Sequence, residues 1–315
     1  MTLFNPYKFI KELSSITDRQ GKKELQAAKL ILRYLKNTNV QVSQQFYSTA
    51  IPKFLKSELL ADDKKIKAYP TSFVSGKISD SSAIVSSLIS SQKFFYEPNI
   101  NFNPVCKSIS RSNHYQAVSF AVNVADVLKV SQAKNIKGII KIKKEIHQSR
   151  NLLVGNLKNP QAVIFSHYDS IGPGAIDNAS GVAMSLDLII NYPETLKNNL
   201  FVIAGNEELS YDETVYWGHG YRVFEQKYFS LLSRAKKILV VDCIGYDNPI
   251  LHTDKRVVKL GFPIKNQDKL SKKITMISGS LEKLMPVYHS DLDLPELIKG
   301  VFYNKTLRLL VKALS

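Results

Sequence analysis

The sequence has few cysteines and no long apolar run. Its two cysteines, Cys106 and Cys243, lie far apart in a chain of 315 residues, so neither a disulfide framework nor a paired-cysteine zinc site is expected. No apolar run approaches the length of a membrane span. Lys8 and Lys11 interrupt the apolar pattern at the start of the chain, which therefore lacks the apolar centre of a signal peptide. We expect a cytoplasmic protein in which any metal is bound by histidine and carboxylate side chains.

Two common hydrolase motifs are also missing. No glycine is followed two positions later by a serine, which excludes the Gly-x-Ser-x-Gly elbow, and no His-Glu-x-x-His helix is present. The chain is basic, with a formal net charge of +16, but its lysines are dispersed and form no long basic run. This dispersion favours a solvated surface over a nucleic-acid or membrane site. We expect neither partner.

Strands and helices alternate in the second half of the chain. Apolar strands are predicted over 152–154, 162–166, 200–204 and 238–241, with helices over 179–190 and 220–234. Continuous apolar strands separated by helices indicate a mostly parallel sheet that is buried on both faces. In such sheets functional residues gather at the carboxyl ends of the strands.

The first half of the chain has two parts. A helix from Pro6, an amphipathic helix over 21–35 and a strand over 40–46 come first. Short apolar runs and many serines follow, with strands predicted over 117–122 and 136–142 and a short helix over 124–133. We therefore predict an α/β catalytic domain from residues 1–53 and 151–315, in which helices flank a mostly parallel mixed sheet. Residues 54–150 are predicted to be an inserted or elaborated smaller subdomain.

Candidate metal ligands follow the predicted strands. His167 comes directly after the strand 162–166, and Asp169 lies two residues further on, where its carboxylate can orient the imidazole. Glu207 and Glu208 follow the next strand, and adjacent carboxylates repel each other unless a cation or a proton lies between them. Asp242 ends a run too apolar for a surface position, and a buried carboxylate needs a partner.

Two further candidates lie in loops. Asp177 ends a glycine-rich loop that opens a helix, so it is either a helix cap or a metal ligand. His289 follows Tyr288 in a short extended segment, and His252 is a rival ligand in a turn-like sequence. Each piece alone has an ordinary structural explanation. Together, two histidines and three carboxylates suit a pair of divalent zinc or cobalt ions with open positions for water and substrate.

These motifs resemble those of the M28 peptidases, co-catalytic zinc exopeptidases that include aminopeptidases and glutamate carboxypeptidases. The resemblance covers residues 151 to about 297 through His-Tyr-Asp-Ser, Gly-Ala-x-Asp-Asn-x-Ser-Gly and Glu-Glu. It implies the phosphorylase/hydrolase-like fold of zinc exopeptidases, two zinc ions with cobalt or manganese as alternatives, peptide substrates and a capacity for homo-oligomers. Residues 54–150 are comparable with the protease-associated insertion of some members.

The resemblance also implies roles for individual residues. His167 and Asp242 would bind one zinc ion, Glu208 and His289 the other, and Asp177 would bridge the two. Glu207 would be the general base, Asp169 would orient His167, and Tyr288 would help to polarise the scissile carbonyl. The peptide bond between Asp177 and Asn178 is expected to be cis.

Two departures from the family pattern affect the expected substrate pocket and one ligand. The Glu pair is followed by Leu-Ser-Tyr-Asp-Glu over 209–213, where the family often has Gly-Leu-x-Gly-Ser. His289 precedes Ser290-Asp291, whereas the last histidine of many aminopeptidases follows Ser-Asp.

The function expected from the sequence is that of a di-zinc aminopeptidase. An activated water would lose a proton to Glu207 as it attacks the peptide carbonyl, and Glu207 would return the proton to the leaving amine. Three alternatives remain open: a carboxypeptidase, an acyltransferase like glutaminyl cyclase with one zinc ion, and a non-catalytic binding protein on the same scaffold.

Overall fold

The computed structural model describes residues 3–36, 38, 40–80, 82–89, 92–212 and 215–314. No helix within these ranges is long and apolar enough to cross a membrane. The α-helices are α1 Pro6–Ser14, α2 Lys22–Lys36, α3 Gln92–Tyr96, α4 Val127–Ser131, α5 Ser180–Asn191, α6 His219–Arg234, α7 Lys255–Gly261, α8 Gln267–Leu270, α9 Leu281–Leu284 and α10 Gly300–Leu314.

The strands fall into two groups along the chain. The first group is β1 Val42–Ala61, β2 Lys64–Lys65, β3 Ala68–Pro70, β4 Gly76–Ile78, β5 Ala83–Ser86, β6 Asn99–Phe102 and β7 Ser119–Val122. The second group is β8 Ile136–Gly155, β9 Ala162–His167, β10 Asn199–Ala204, β11 Lys237–Val241, β12 Ile250–His252 and β13 Ile274–Ser278.

The chain divides into two compact units. The first consists of residues 1–49, 147–283 and 293–315, and the second of residues 50–146 and 284–292. These boundaries lie a few residues before those predicted from the sequence, and the short segment 284–292 belongs to the second unit. Whether the second unit is a protease-associated insertion stays a prediction.

The first unit contains a mixed sheet with the strand order β12-β13-β11-β9-β10-β8-β1. Strands β13, β11, β9 and β10 are mutually parallel, and every residue of β9 and β10 is buried. One face packs on α6 through Phe165, Tyr221, Phe224 and Phe262, which are fully buried. Helix α5 packs against both β9 and α1. Strands β12 and β8 pair with this parallel core in the antiparallel sense. The predicted α/β fold class, a mixed sheet flanked by helices, is confirmed, and the parallel part is limited to the four central strands.

The second unit has its own small sheet, with the strand order β3-β7-β6-β5. Strands β5, β6 and β7 are parallel, and β3 pairs with β7 in the antiparallel sense. A separate apolar core includes Leu59, Ile100, Phe120 and Ile140.

Two strands are much longer than the sequence predicts. The strand predicted over 40–46 is β1, which continues to Ala61, and the strands predicted over 136–142 and 152–154 are parts of one strand, β8. Residues 143–150 of β8 are mostly polar, and all except the buried Ser149 are at least partly exposed, so no apolar run marks them as a strand. The pairing of these polar residues with neighbouring strands supplies the order that the side chains do not signal.

Candidate metal centre

Three parallel strands of the first unit end beside one another. His167 is the last residue of β9 and is paired in register with Ala204, the last residue of β10. Glu207 and Glu208 follow β10 after a two-residue turn, and Asp242 follows β11 directly. Because parallel neighbours end at the same edge of a sheet, these side chains meet at one place.

The imidazole of His167 is buried and has a defined orientation. Its Nδ1 lies 3.3 Å from the backbone carbonyl oxygen of Asp169 and 3.6 Å from Oδ1 of the same residue. Acceptors lie beside both ring nitrogens. Burial opposes protonation, but Tyr221 and the hydrogen bonds with Asp169, Asp177 and Asp242 raise the pKa of His167 well above its ordinary value. A cation that takes the place of the Nε2 proton would meet the lone pair of that nitrogen. Nε2 lies 3.3 Å from Asp177 Oδ1 and 3.4 Å from Asp242 Oδ1.

These separations fit a shared metal ion. Two ligand atoms, each about 2.1 Å from one zinc ion and at the tetrahedral angle, are about 3.4 Å apart. The distances from His167 Nε2 to Asp177 Oδ1 and Asp242 Oδ1, 3.3 and 3.4 Å, agree with this value. Each of these two pairs therefore has the spacing that two ligands of one divalent ion require.

Asp169 acts mainly on the glutamate pair. Its Oδ1 accepts a hydrogen bond from the backbone N–H of Glu207 and its Oδ2 one from that of Glu208, both at 2.9 Å. Gln20 donates to Oδ2 at 3.2 Å. The sequence predicted that Asp169 orients His167, and the structure adds a second task, which is to fix the backbone at the start of the Glu pair.

Asp177 lies in a turn that a different residue caps. The turn spans Ala175–Ala179, and the peptide bond between Asp177 and Asn178 is cis. Asn178 Oδ1 accepts from the N–H of Gly181, and Asn178 Nδ2 donates to the carbonyl of Val241. Asn178, and not Asp177, thus caps the first turn of α5. The Asp177 carboxylate lies beside His167, with Oδ1 3.3 Å from Nε2.

Two residues that the sequence analysis missed hold this turn. Asp293 accepts hydrogen bonds from the backbone N–H of Ile176 at 2.7 Å and of Asp177 at 3.1 Å. Burial, followed by the nearby charge of Asp177, raises the pKa of Asp293 to about 7, although the two backbone hydrogen bonds oppose this shift. Arg19 is fully buried and donates to backbone carbonyls of the same loop. Neither residue stands in a recognisable motif, because both act on backbone atoms distant in sequence.

Five buried carboxylates surround His167. Each is less than a tenth exposed: Asp169, Asp177, Glu207, Glu208 and Asp242. Burial, together with the charges of Glu208, Asp169 and Asp242, raises the pKa of Glu207 well above its ordinary value, although His167 opposes this shift. Burial lowers the pKa of Arg19 to about 10, and this one guanidinium cannot balance five carboxylates. Ionised groups in such surroundings require cations.

Two overlapping sets of buried ligand atoms lie in this cluster. His167, Asp177 and Glu208 form one set, and Asp177, Asp242 and Cys243 form the other. Within each set the ligand atoms lie no more than 4.8 Å from one another. Asp177 belongs to both, which is the position that a residue bridging two ions would occupy. The donor chemistry of the cluster, imidazole and carboxylate, fits divalent zinc.

The remaining candidates belong to neither ligand set. Tyr288 and His289 belong to the second unit, where their rings stack at 3.7 Å between centroids and the backbone N–H of Arg111 donates to the His289 carbonyl. Their roles stay predictions. His252, the rival ligand, lies 2.9 Å through its Nε2 from Ser278 Oγ and is in neither set.

Comparisons with known proteins agree with this geometry. Residues 152–292 match the model of peptidase family M28, whereas no curated protein sequence matches the chain. The structure is similar to a zinc aminopeptidase from Bacillus subtilis, with 17% identity, a TM-score of 0.71 and coverage of 98% of this chain and 93% of that chain.

Two more solved structures share the fold. An aminopeptidase from Aneurinibacillus sp. strain AM-1 has 16% identity, a TM-score of 0.64 and coverage of 98% of this chain and 92% of that chain. The glutaminyl cyclase of Fimbriiglobus ruber has 10% identity, a TM-score of 0.53 and coverage of 99% and 95%. The resemblance seen in the sequence is confirmed: residues 152–292 match the family model of the M28 peptidases.

Proposed function

We propose that this chain is a two-metal exopeptidase that acts as an aminopeptidase on peptide substrates. The observation that carries the proposal is the pair of overlapping ligand sets that share Asp177, with Glu207 buried beside them. The family match and the zinc aminopeptidases of the same fold support this function.

The ligands of the proposed centre come from both the geometry and the family resemblance. By the resemblance, His167 and Asp242 would hold one ion and Glu208 the other, and Asp177, which belongs to both ligand sets, would serve both. His289 is proposed as the second protein ligand of the Glu208 ion, from the resemblance alone. Two divalent ions bound there supply Lewis-acid activation of a water molecule and of the scissile carbonyl.

Glu207 is the proposed general base. The hydrogen bond from its backbone N–H to Asp169 fixes the start of its side chain, and its pKa is raised by burial and by neighbouring carboxylates. A carboxylate that gains a proton easily can take it from the attacking water and deliver it to the leaving amine. Tyr288 is proposed, from the resemblance, to donate a hydrogen bond to the carbonyl oxygen.

A glutaminyl-cyclase-like acyl transfer is the second candidate. A protein of that activity shares the fold. The two ligand sets favour two ions over the single ion expected for a cyclase, and so they favour hydrolysis. Release of free amino acids supports the aminopeptidase, whereas pyroglutamate formed from peptides with N-terminal glutamine supports the cyclase. A carboxypeptidase would instead require a free substrate carboxylate, and a binding protein would show neither reaction.

The decisive experiment combines metal analysis with one substitution. Chelator-treated protein reloaded with zinc is expected to bind two ions per chain and to hydrolyse leucine p-nitroanilide. Glu207→Gln is expected to keep both ions but to lose about 10²–10⁴ in rate, the usual contribution of a general base. Glu296→Gln, an exposed glutamate of the same unit, is the matched control. Full activity of Glu207→Gln would exclude this role, and wild-type protein without bound metal would exclude the function.

A further inference from the structure

A thiol lies inside the proposed metal centre. Cys243 follows Asp242 at the end of β11 and is 4% exposed. Its Sγ lies 3.3 Å from Asp242 Oδ1, the atom that is itself 3.4 Å from His167 Nε2. From the sequence, a metal bound by histidines and carboxylates alone was expected. The structure places sulfur beside those ligands.

The position of the sulfur suits direct coordination. In a tetrahedral site with Zn–S of about 2.3 Å and Zn–O of about 2.1 Å, the sulfur and oxygen atoms are about 3.6 Å apart. The Sγ of Cys243 and the Oδ1 of Asp242 are 3.3 Å apart, so a movement of a few tenths of an ångström is sufficient. The ligand atoms of Cys243, Asp177 and Asp242 also lie within 4.8 Å of one another.

We propose that Cys243 Sγ is a further ligand of the ion bound by Asp177 and Asp242, and that it makes this position selective for soft divalent cations. The inference rests on the proposed two-metal centre and adds a thiolate to it. As the ion binds, a sulfur–metal bond forms and the thiol proton leaves to solvent. Thiolate favours zinc and cadmium over manganese and magnesium, which prefer oxygen ligands.

X-ray absorption on the zinc-loaded wild-type protein tests the inference directly. One sulfur scatterer per chain is expected at about 2.3 Å, beside nitrogen and oxygen scatterers at about 2.0–2.2 Å. Two bound zinc ions with nitrogen and oxygen scatterers alone would overturn the role of Cys243 and leave the proposed function standing. Failure to bind zinc would overturn both.

Substitution of the two cysteines supplies a matched pair. Cys243→Ser is expected to lose the sulfur scatterer and to lower the affinity for cadmium relative to manganese at least about tenfold, because even residues that only orient metal ligands contribute 10–100-fold. Cys106→Ser, a buried cysteine of the second unit, is expected to change neither measurement. Cys243→Ala extends the test if the serine variant does not fold. A sulfur scatterer that persists without Cys243 would contradict the proposal.

Discussion

Each of the two units buries a group of polar side chains, but the groups differ in charge. The group in the second unit is neutral and fully buried: Thr71, Asn99, Asn101 and Ser119. Asn101 Nδ2 donates to the hydroxyls of Thr71 and Ser119, and Ser119 in turn donates to Asn99 Oδ1 at 2.7 Å. Amides and hydroxyls both donate and accept, so the members of such a group can pair with one another. Among the described residues only Asn101 Oδ1 of this group is left without a hydrogen-bond partner.

The group in the first unit is anionic and cannot do the same. Ionised carboxylates only accept hydrogen bonds, so Asp177, Glu208 and Asp242 cannot bond to one another. His167 lies among them, with its Nε2 3.3 Å from Asp177 Oδ1 and 3.4 Å from Asp242 Oδ1. The comparison teaches that a buried polar cluster needs an external cation when its members are all acceptors.

The largest expected effect comes from removing the residue shared by both ligand sets. Asp177→Ala is expected to lose both ions and to reduce hydrolysis by more than about 100-fold, because loss of a residue that merely orients a ligand already costs 10–100-fold. Metal content after dialysis and the rate with leucine p-nitroanilide measure this. Asn101→Ala in the neutral group is the control and should retain both ions. Equal metal loss in the two variants would break the comparison.

A smaller effect is expected from Asp169, which lies beside His167 but belongs to neither ligand set. Asp169→Asn replaces one acceptor oxygen by an NH₂ group that faces a backbone N–H of Glu207 or Glu208. We expect a loss of about 10–100-fold in metal affinity or activity. Gln20→Ala removes only one hydrogen bond to Asp169 and should cost less. A zinc titration of the two variants separates them, and a larger loss in Gln20→Ala would refute this assignment.

Zinc itself should stabilise the anionic cluster and leave the neutral one unaffected. At a free zinc concentration of about 100 times the dissociation constant, binding adds about 2.7 kcal/mol to the free energy of unfolding. Urea unfolding with zinc and with chelator measures the difference. The same increment is expected in Asn101→Ala, whereas Asp177→Ala should show none. Zinc-independent stability of the wild type would contradict the proposed site.

The smallest effect on stability is expected from Asp212, a carboxylate that already pairs with the side chains of His219 and Arg222. Asp212 lies 2.9 Å from His219 Nδ1 and accepts from Arg222 Nε at 2.7 Å, and these partners hold its pKa well below the ordinary value. A depressed pKa contributes stability that is present above the ordinary pKa of about 3.9 and is lost as the pH falls below it.

Asp212→Asn should therefore destabilise the protein at neutral pH and less so in acid. Unfolding free energies of both proteins between about pH 6 and pH 3 test this. The difference between them should shrink because Asp212 is protonated in the unfolded chain while it stays ionised in the folded protein. Zinc should not change that difference. A difference in unfolding free energy that stays constant with pH would show that the charge of Asp212 does not contribute to stability.

Much of the first unit could be predicted because its strands are short, apolar and buried. Strands expected over 162–166, 200–204 and 238–241 are β9, β10 and β11 within one residue at either end. The helix expected over 21–35 is α2, since its apolar stripe follows the helical period. Ligands placed directly after those strands could be located by the same argument.

Other features of the structure have no sequence pattern from which they could be predicted. The polar middle of β8 is ordered by strand pairing, and the short helix expected over 124–133 shrinks to a 3₁₀ turn followed by α4. Asp293 and Arg19 act on backbone atoms more than a hundred residues away. Cys243 is an isolated cysteine in the sequence, and only the folded chain shows that it lies beside Asp242.

The anchoring of the Asp177 turn links metal loading to protein synthesis. Arg19 reaches that turn from near the start of the chain, but Asp293, which accepts from the Asp177 N–H, is made 116 residues after it. A nascent chain on the ribosome thus exposes Asp177 well before this support exists. We expect chains that end before Asp293 to remain metal-free and to be distinguishable by their zinc content from chains that contain it.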